Sequence, residues 1–89
     1  MSTISIRISG PHDLEQLAFL FDRYRVFYGQ ESNQQSALDF LSDRMHENES
    51  VVFIAAEADG VFSGFVQLYP IFSSVKMKRQ WLLNDLFVA

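Results

Sequence analysis

The pair Asp59-Gly60 lies directly between two apolar runs, residues 51–56 and residues 61–69. An Asp-Gly pair in this setting favours a two-residue hairpin turn, because both central positions of that turn need positive φ, which Asp and Gly tolerate. The first run has the length and the β-branched content of a buried strand. The sequence therefore predicts an antiparallel β-hairpin in the second half of the chain.

Periodicity predicts the elements before the hairpin. Ile4, Ile6 and Ile8 alternate with polar residues, which is the period of a strand with one buried face. Apolar residues then recur at three- and four-residue steps up to Gly29, which predicts an amphipathic helix that ends there. A second helix is predicted for residues 34–47, where apolar residues again follow helical spacing.

The last third of the chain predicts two further strands. The strand returning from the hairpin carries Gly64, which marks a bulge or a close approach of a neighbour, and Pro70 ends it or places it at an edge. Residues 81–88 form a final apolar strand that Asn84-Asp85 interrupts. The expected fold is a single α+β domain over residues 1–89, with an antiparallel β-sheet, two helices and the order β-α-α-β-β-β.

Composition excludes several classes of function. The chain has no cysteine, which excludes a disulfide framework, a thiolate metal site and a cysteine nucleophile, and the spacing of its two histidines predicts no metal site. Eleven acidic residues against seven basic ones, with no basic stripe, make nucleic acid a poor partner. Attraction of a cationic amine and simple solubility both remain as interpretations of the acidity. No apolar stretch approaches a membrane span, so we expect a soluble, cytoplasmic protein.

Several residue strings follow one another in a specific order along the chain. They are Leu14-Glu15-Gln16-Leu17, Tyr24-Arg25, Asp59-Gly60, residues 64–70 and residues 83–88. In this order, and with two helices between the first two strands, the chain resembles the N-terminal half of the GNAT superfamily of N-acetyltransferases. The resemblance spans nearly the whole chain. It implies transfer of acetyl from acetyl-CoA, as co-substrate, to an amine acceptor that is a small molecule or a peptide.

The resemblance also implies where acetyl-CoA contacts the chain. In the superfamily the backbone of the fourth strand pairs with the pantetheine arm, and here Leu86, Phe87 and Val88 occupy that position. A glycine-rich loop that opens a helix then binds the pyrophosphate. The glycines of this chain are all isolated, so that loop is not among its 89 residues. We therefore expect weak or no binding of acetyl-CoA by this chain alone, and no acetyl transfer.

Asp85 is the strongest candidate for a catalytic residue. A carboxylate within an apolar strand is costly unless it is solvated or paired. Asp85 would accept the proton of the acceptor ammonium, directly or through water, or hold the cation. The alternative is an acid at a strand edge or a bulge. Asn84 beside it is a candidate hydrogen-bonding partner that contacts the substrate.

Four further side chains are candidates for contact with the acceptor. Tyr24 and Tyr28 end the first predicted helix, where the resemblance implies access of substrate, although packing in a core is the simpler interpretation of aromatic residues at helical spacing. Gln67 and Tyr69 lie on the same face of the third predicted strand by period two, and both could line a cleft.

Residues 81–88 also predict self-association. Large apolar groups lie on both faces of this final strand, and one row of its backbone groups has no expected partner. Pairing with the same strand of a second copy around a two-fold axis satisfies both edges, so we expect a homodimer through residues 81–88. Two functions remain open: part of an acetyl-CoA-dependent N-acetyltransferase, and a noncatalytic binding or assembly module derived from such a domain.

Overall fold

The computed structural model describes residues 3–89, in which two helices lie on one face of a four-stranded antiparallel sheet. The sheet has the order β1-β2-β3-β4, and the predicted class and element order are confirmed. The elements are β1 (Ile4–Ile8), α1 (Leu14–Phe27), α2 (Gln34–His46), β2 (Val51–Glu57), β3 (Phe62–Ser73) and β4 (Lys78–Val88).

Local chemistry favours the observed end of α1 and the observed start of α2. The side chain of Asn33 accepts a hydrogen bond from the backbone N–H of Ser36 at 3.0 Å and so caps the start of α2. Gly29 has a φ of +88° just after α1, a conformation in which glycine ends helices at little cost. No helix in the described part of the chain is long and apolar enough to cross a membrane.

The core lies between the two helices and the sheet. Alternate residues of β2 face the helices, and Ile54 among them is fully buried, as is Leu17 of α1 in the same core cluster. Burying a side chain of this size contributes about 1.5 to 3 kcal/mol, so these few contacts hold the two layers together. The other buried apolar residues are Ala18, Leu20, Phe21, Ala37, Leu41, Val52, Ala56, Phe62 and Phe65.

The predicted buried face of β1 is wrong. Its isoleucines are exposed, Ile6 by 66%, because they lie on the face of the sheet opposite the helices, which we call the open face. The polar side of β1 faces the helix layer instead. There Arg7 donates two hydrogen bonds of 2.7 Å to Asp13, just before α1. These hydrogen bonds, opposed by burial, lower the pKa of Asp13 to about 2.

The predicted hairpin is present, but its turn differs from the expected one. Residues 58–61 connect β2 and β3, and Gly60 has a φ of +87° while Asp59 does not have positive φ. The carboxylate of Asp59 instead accepts a hydrogen bond from the backbone N–H of Val61 at 3.0 Å. The longer connection needs only one residue with positive φ, and glycine supplies it.

Strand β3 continues through Pro70 to Ser73, so of the two predicted alternatives, an end of the strand or an edge position, the structure shows the edge position. Pro70 pairs with Trp81 of β4, whereas the pairing with β2 reaches only Leu68. At the proline the strand therefore has a partner on one side alone, where a missing N–H is tolerated.

Strands β3 and β4 are closely spaced near Gly64 and irregular near Asn84. A Cβ added at Gly64 would lie 2.8 Å from the carbonyl oxygen of Phe87, so only glycine fits there without a shift. The pairing passes from Gln67↔Asp85 to Leu68↔Leu83, which leaves Asn84 as an extra residue in β4. Because of this bulge, Asp85 lies on the helix side of the sheet, opposite Gln67.

Candidate active site

The carboxylate of Asp85 is buried under the helices and held by three donors. Its Oδ1 accepts hydrogen bonds from the hydroxyl of Tyr24 at 2.7 Å and from the amide of Asn84 at 3.2 Å. Its Oδ2 accepts one from Nε2 of Gln67 at 2.9 Å. The residue is only 8% exposed, and a buried carboxylate is costly without such partners. Donors from α1, β3 and β4 therefore converge on one acid.

The side chain of Gln67 is held in place by Ser50, a residue that the sequence did not indicate. It is 0% exposed, and its Oε1 accepts a hydrogen bond from the hydroxyl of Ser50 at 2.9 Å. Ser50 immediately precedes β2, so a contact far apart in sequence joins the two. A serine before a strand is too common to signal such a role.

Two tyrosines lie beside this carboxylate. Burial, and then the hydrogen bond to Asp85, raises the pKa of Tyr24 to about 12. Burial, and then the charge of Asp85, raises the pKa of Tyr69 to about 12 as well. Both phenols therefore keep their protons at neutral pH and present hydroxyl groups, not phenolates, near the acid.

A pocket of about 440 Å³ opens between the helices and the sheet at this point. Asp85 and the two tyrosines, Tyr24 and Tyr69, form its polar end. Phe21 and Phe40 line it with their rings stacked 5.8 Å apart. Neither is a predicted site residue, because aromatic residues at helical spacing indicate a core. An acid at the end of an aromatic-walled pocket suits a cation on an apolar stem.

The structure brings three of the predicted side chains together around this pocket: Tyr24, Tyr69 and Asp85. Gln67 and Asn84 reach Asp85 but do not line the pocket. Tyr28 lies outside it, 66% exposed, with its ring 5.1 Å from that of Tyr24. Within residues 3–89, no group of His, Cys, Asp and Glu side chains is arranged to hold a metal ion.

The positions expected to contact acetyl-CoA lie at the edge of the sheet. On one side, Leu86, Phe87 and Val88 pair with β3. On the other side, β4 has no strand partner within residues 3–89. A free row of backbone N–H and C=O groups fits an amide-bearing arm that adds as a strand. No glycine-rich loop lies within the described residues to hold a pyrophosphate.

Two curated relatives match the sequence. An uncharacterized N-acetyltransferase of Bacillus subtilis, YhfO, is 52% identical over 86 residues, which cover 97% of this chain and 57% of that protein. A probable acetyltransferase of Haemophilus influenzae is 45% identical over 76 residues, which cover 85% of this chain and 52% of that protein. The chain thus spans slightly more than half the length of these relatives. No family model matches it.

Solved structures share the fold. The crystal structure of a probable acetyltransferase superposes with a TM-score of 0.92 at 43% identity, covering 96% of this chain and 57% of the other. At 16% identity, a GNAT family acetyltransferase of Staphylococcus aureus gives a TM-score of 0.76 over 99% of this chain and 63% of its own. A Clostridium acetobutylicum acetyltransferase with acetyl-CoA gives 0.77 at 16% identity, over 98% of this chain and 60% of its own. In sequence the chain is thus similar to slightly more than half of an acetyltransferase, and its fold is that of the matching part of a GNAT family acetyltransferase.

Proposed function

We propose that this chain supplies the acceptor side of an acetyl-CoA-dependent N-acetyltransferase and is not sufficient for acetyl transfer by itself. The observation that carries the proposal is the buried carboxylate of Asp85 at the polar end of the aromatic-walled pocket. Buried acids in a cleft are frequent at catalytic sites, because catalysis needs an acid or base that is held in place there even though burying its charge costs free energy. The relatives named N-acetyltransferase and acetyltransferase support the reaction class.

In this proposal Asp85 acts on the acceptor amine. It holds the ammonium and accepts one of its protons, directly or through a water molecule, so that the nitrogen has a free electron pair. That nitrogen would then form the amide bond while the bond between the acetyl carbon and sulfur breaks. The sulfur would leave as the thiolate of CoA and take up the second proton that the nitrogen loses, so that CoA is released as the free thiol. Acetyl-CoA, when bound, supplies the acetyl thioester. The chain has no cysteine, so we expect direct transfer without a covalent enzyme intermediate.

The free edge of β4 supports a place for the pantetheine arm. Backbone groups of residues 86–88 would pair with its amides, whatever the side chains are. The affinity that a pyrophosphate site would add must come from residues outside this chain. We therefore expect this chain alone to bind acetyl-CoA weakly or not at all.

A second candidate function is a noncatalytic assembly module. It is favoured by the exposure of Trp81, Leu82, Leu83, Leu86 and Val88 on the strand at the edge of the sheet. A homodimer through residues 81–88 would pair this edge with its own copy and cover these side chains. While this edge of β4 is paired in the dimer it cannot also pair with a pantetheine arm, so the two functions exclude each other.

A chimera tests the first proposal. This chain would replace the matching 86 residues of the Bacillus subtilis relative, to which it is 52% identical. We expect the chimera to release free CoA thiol with a panel of primary amines, and this chain alone to release none. A folded chimera that acetylates no amine, or that keeps full turnover after Asp85→Asn, contradicts the proposal.

A further inference from the structure

The hairpin of β3 and β4 extends beyond the rest of the sheet. Strand β2 pairs with β3 only as far as Leu68, whereas β3 and β4 pair with each other out to Ser73↔Lys78. We call residues 69–82 the arm, and at about 3.3 Å per residue it is about 16 Å long. The arm begins at Tyr69, which lines the pocket, so one face of the arm continues from the pocket wall.

The period of the strands places Lys78 on the pocket face of the arm. Ser73 follows Tyr69 at an even step, and residues that pair directly share a face, so Lys78 opposite Ser73 lies on the side of the pocket. Arg79, one residue further, lies on the open face, where its guanidinium is 5.5 Å from the centre of the ring of Phe72. The two neighbouring basic residues therefore point to opposite sides of the sheet.

The arm carries positive charge that the described chain does not neutralise. Lys76, Lys78 and Arg79 fall within four positions, and residues 60–84 contain no Asp or Glu. Neither lysine forms an ion pair within residues 3–89. The whole chain has a net charge of −4, so the arm is a basic projection on an otherwise acidic domain.

The pocket face of the arm is apolar before it reaches Lys78. Leu82 pairs with Tyr69, and Ile71 follows Tyr69 at a step of two, so both lie on this face. Leu82 is 47% exposed and Ile71 is 39% exposed. A ligand that leaves the pocket along the arm thus meets apolar surface first and positive charge after it.

The distance along the arm sets the length of such a ligand. Asp85 pairs with Gln67 and Lys78 pairs with Ser73, six residues apart on β3. At about 3.3 Å per residue this separation is about 20 Å. An extended peptide of about six residues has the same length, whereas a small amine reaches only the pocket.

We propose that the arm recognises acidic residues of a peptide acceptor whose terminal amine lies at Asp85. This inference rests on the proposed function, which places the acceptor nitrogen at that carboxylate. The site then has a negative end in the pocket and a positive end at Lys76 and Lys78. The ligand that matches both ends is an extended peptide with a free amino terminus and carboxylates four to six residues after it.

Peptide titration of the labelled chain, followed by NMR, tests the inference. Three amidated hexapeptides differ only in their last two residues: Gly-Ala-Ala-Ala-Glu-Glu, Gly-Ala-Ala-Ala-Gln-Gln and Gly-Ala-Ala-Ala-Lys-Lys. We expect the Glu peptide to bind about threefold more tightly than the Gln peptide and about tenfold more tightly than the Lys peptide, the size of one or two exposed ion pairs. Salt of about 1 M should remove the preference, because the screening length is then only about 3 Å.

Two variants test the place of the contact. Lys78→Gln should reduce the preference for the Glu peptide over the Gln peptide to about 1.5-fold or less. Arg79→Gln is the matched control, because it removes the same charge from the next residue but on the open face, and the preference should stay near threefold.

Two further probes test the spacing. In amidated Gly-Glu-Glu the carboxylates lie too close to the amine to reach the arm, so this peptide should show no preference over Gly-Gln-Gln. The Glu hexapeptide with an acetylated amino terminus has lost the group that Asp85 holds, and it should bind more weakly than the free form.

The outcomes separate this inference from the proposed function. Equal affinity for the Glu and Gln hexapeptides, binding of no peptide, a preference that persists in Lys78→Gln or in Gly-Glu-Glu, or equal binding of the acetylated form overturns the inference. Sedimentation of the chain with phosphatidylserine vesicles that is lost in Lys78→Gln assigns the arm to a lipid surface and overturns it too. A chimera that acetylates amines without preference for acidic peptides leaves the proposed function standing, and a chimera that binds the Glu peptide but acetylates no amine removes that function.

Discussion

Replacing Gly64 by alanine should destabilise the pairing of β3 with β4. The new Cβ would lie 2.8 Å from the carbonyl oxygen of Phe87, closer than Cβ atoms approach other heavy atoms. The opposing atom belongs to the backbone, so β4 itself must move away by about half an ångström, and cores and sheets resist such overpacking by about 1 to 3 kcal/mol. For a domain of this size, each kcal/mol lowers the melting temperature by about 4 to 8 °C.

The assay is thermal and urea denaturation of the wild type and two variants, with NMR shifts of Phe87 as a local probe. Gly10→Ala is the matched control, because its Cβ would meet only the flexible, exposed side chain of His12, at 3.1 Å. We expect that control to stay within about 0.5 kcal/mol of the wild type. If Gly64→Ala is as stable as Gly10→Ala and leaves the Phe87 signals in place, close approach of the strands is not what requires glycine there.

Four further predictions address the site, the cofactor, pH and assembly. In the chimera, Asp85→Asn should lower turnover about a hundredfold while the protein stays folded at the assay temperature, because a proton acceptor is lost; steady-state rates and a melting curve measure both. Calorimetry of this chain with acetyl-CoA should give a dissociation constant well above about 1 μM, since residues 3–89 contain no glycine-rich loop that would bind the pyrophosphate. The folded-state pKa of Asp13 is lowered to about 2, so the contribution of Asp13 to stability is present above its unfolded pKa. That contribution should be lost as pH falls from about 4 to 2. Denaturation of the wild type and Asp13→Asn at several pH values will measure the loss. Light scattering should give the mass of a dimer, and Leu86→Glu, at a side chain that is 57% exposed in the single chain, should convert it to a monomer.

Each of these has an outcome that contradicts it. Unchanged turnover of Asp85→Asn across pH would make the acid a structural residue of the strand. A dissociation constant near 1 μM would mean that the missing loop is not needed for affinity. An equal loss of stability in acid for the wild type and Asp13→Asn would remove Asp13 as the cause. A monomer at high concentration would refute dimerisation through residues 81–88.

The fold was predictable where the signal is local. The hairpin follows from Asp59-Gly60, and the end of the first helix follows from Gly29, since both depend on the backbone freedom of single residues. The alternation of Ile4, Ile6 and Ile8 correctly indicates a strand with one apolar side. Period two does not say on which face the helices pack, and here they pack on the polar side of that strand.

The site was predictable only in part, because some of its residues give a local signal and others depend on long-range packing. Asp85 stands out because a carboxylate in an apolar strand is unusual, and Tyr69 follows from the period of the strand. The roles of Ser50 and Phe40 depend on contacts between residues far apart in the chain, which neither composition nor spacing encodes. The burial of Gln67 was likewise beyond the sequence, since a glutamine on a strand more often faces solvent.

The extra residue at Asn84 shifts β4 by one position, so that the side chains after it lie on the opposite face of the sheet from the face they would otherwise occupy. Counting back from Tyr69↔Leu82 and Leu68↔Leu83, an uninterrupted ladder would pair Gln67 with Asn84 and turn the next side chain to the open face. The acid would then stand on the open face, on the far side of the sheet from the aromatic pocket. Whether this domain has a carboxylate in its pocket is thus a matter of odd or even length in one strand. Insertion or deletion of a single codon can switch that chemistry on or off without altering any residue of the pocket.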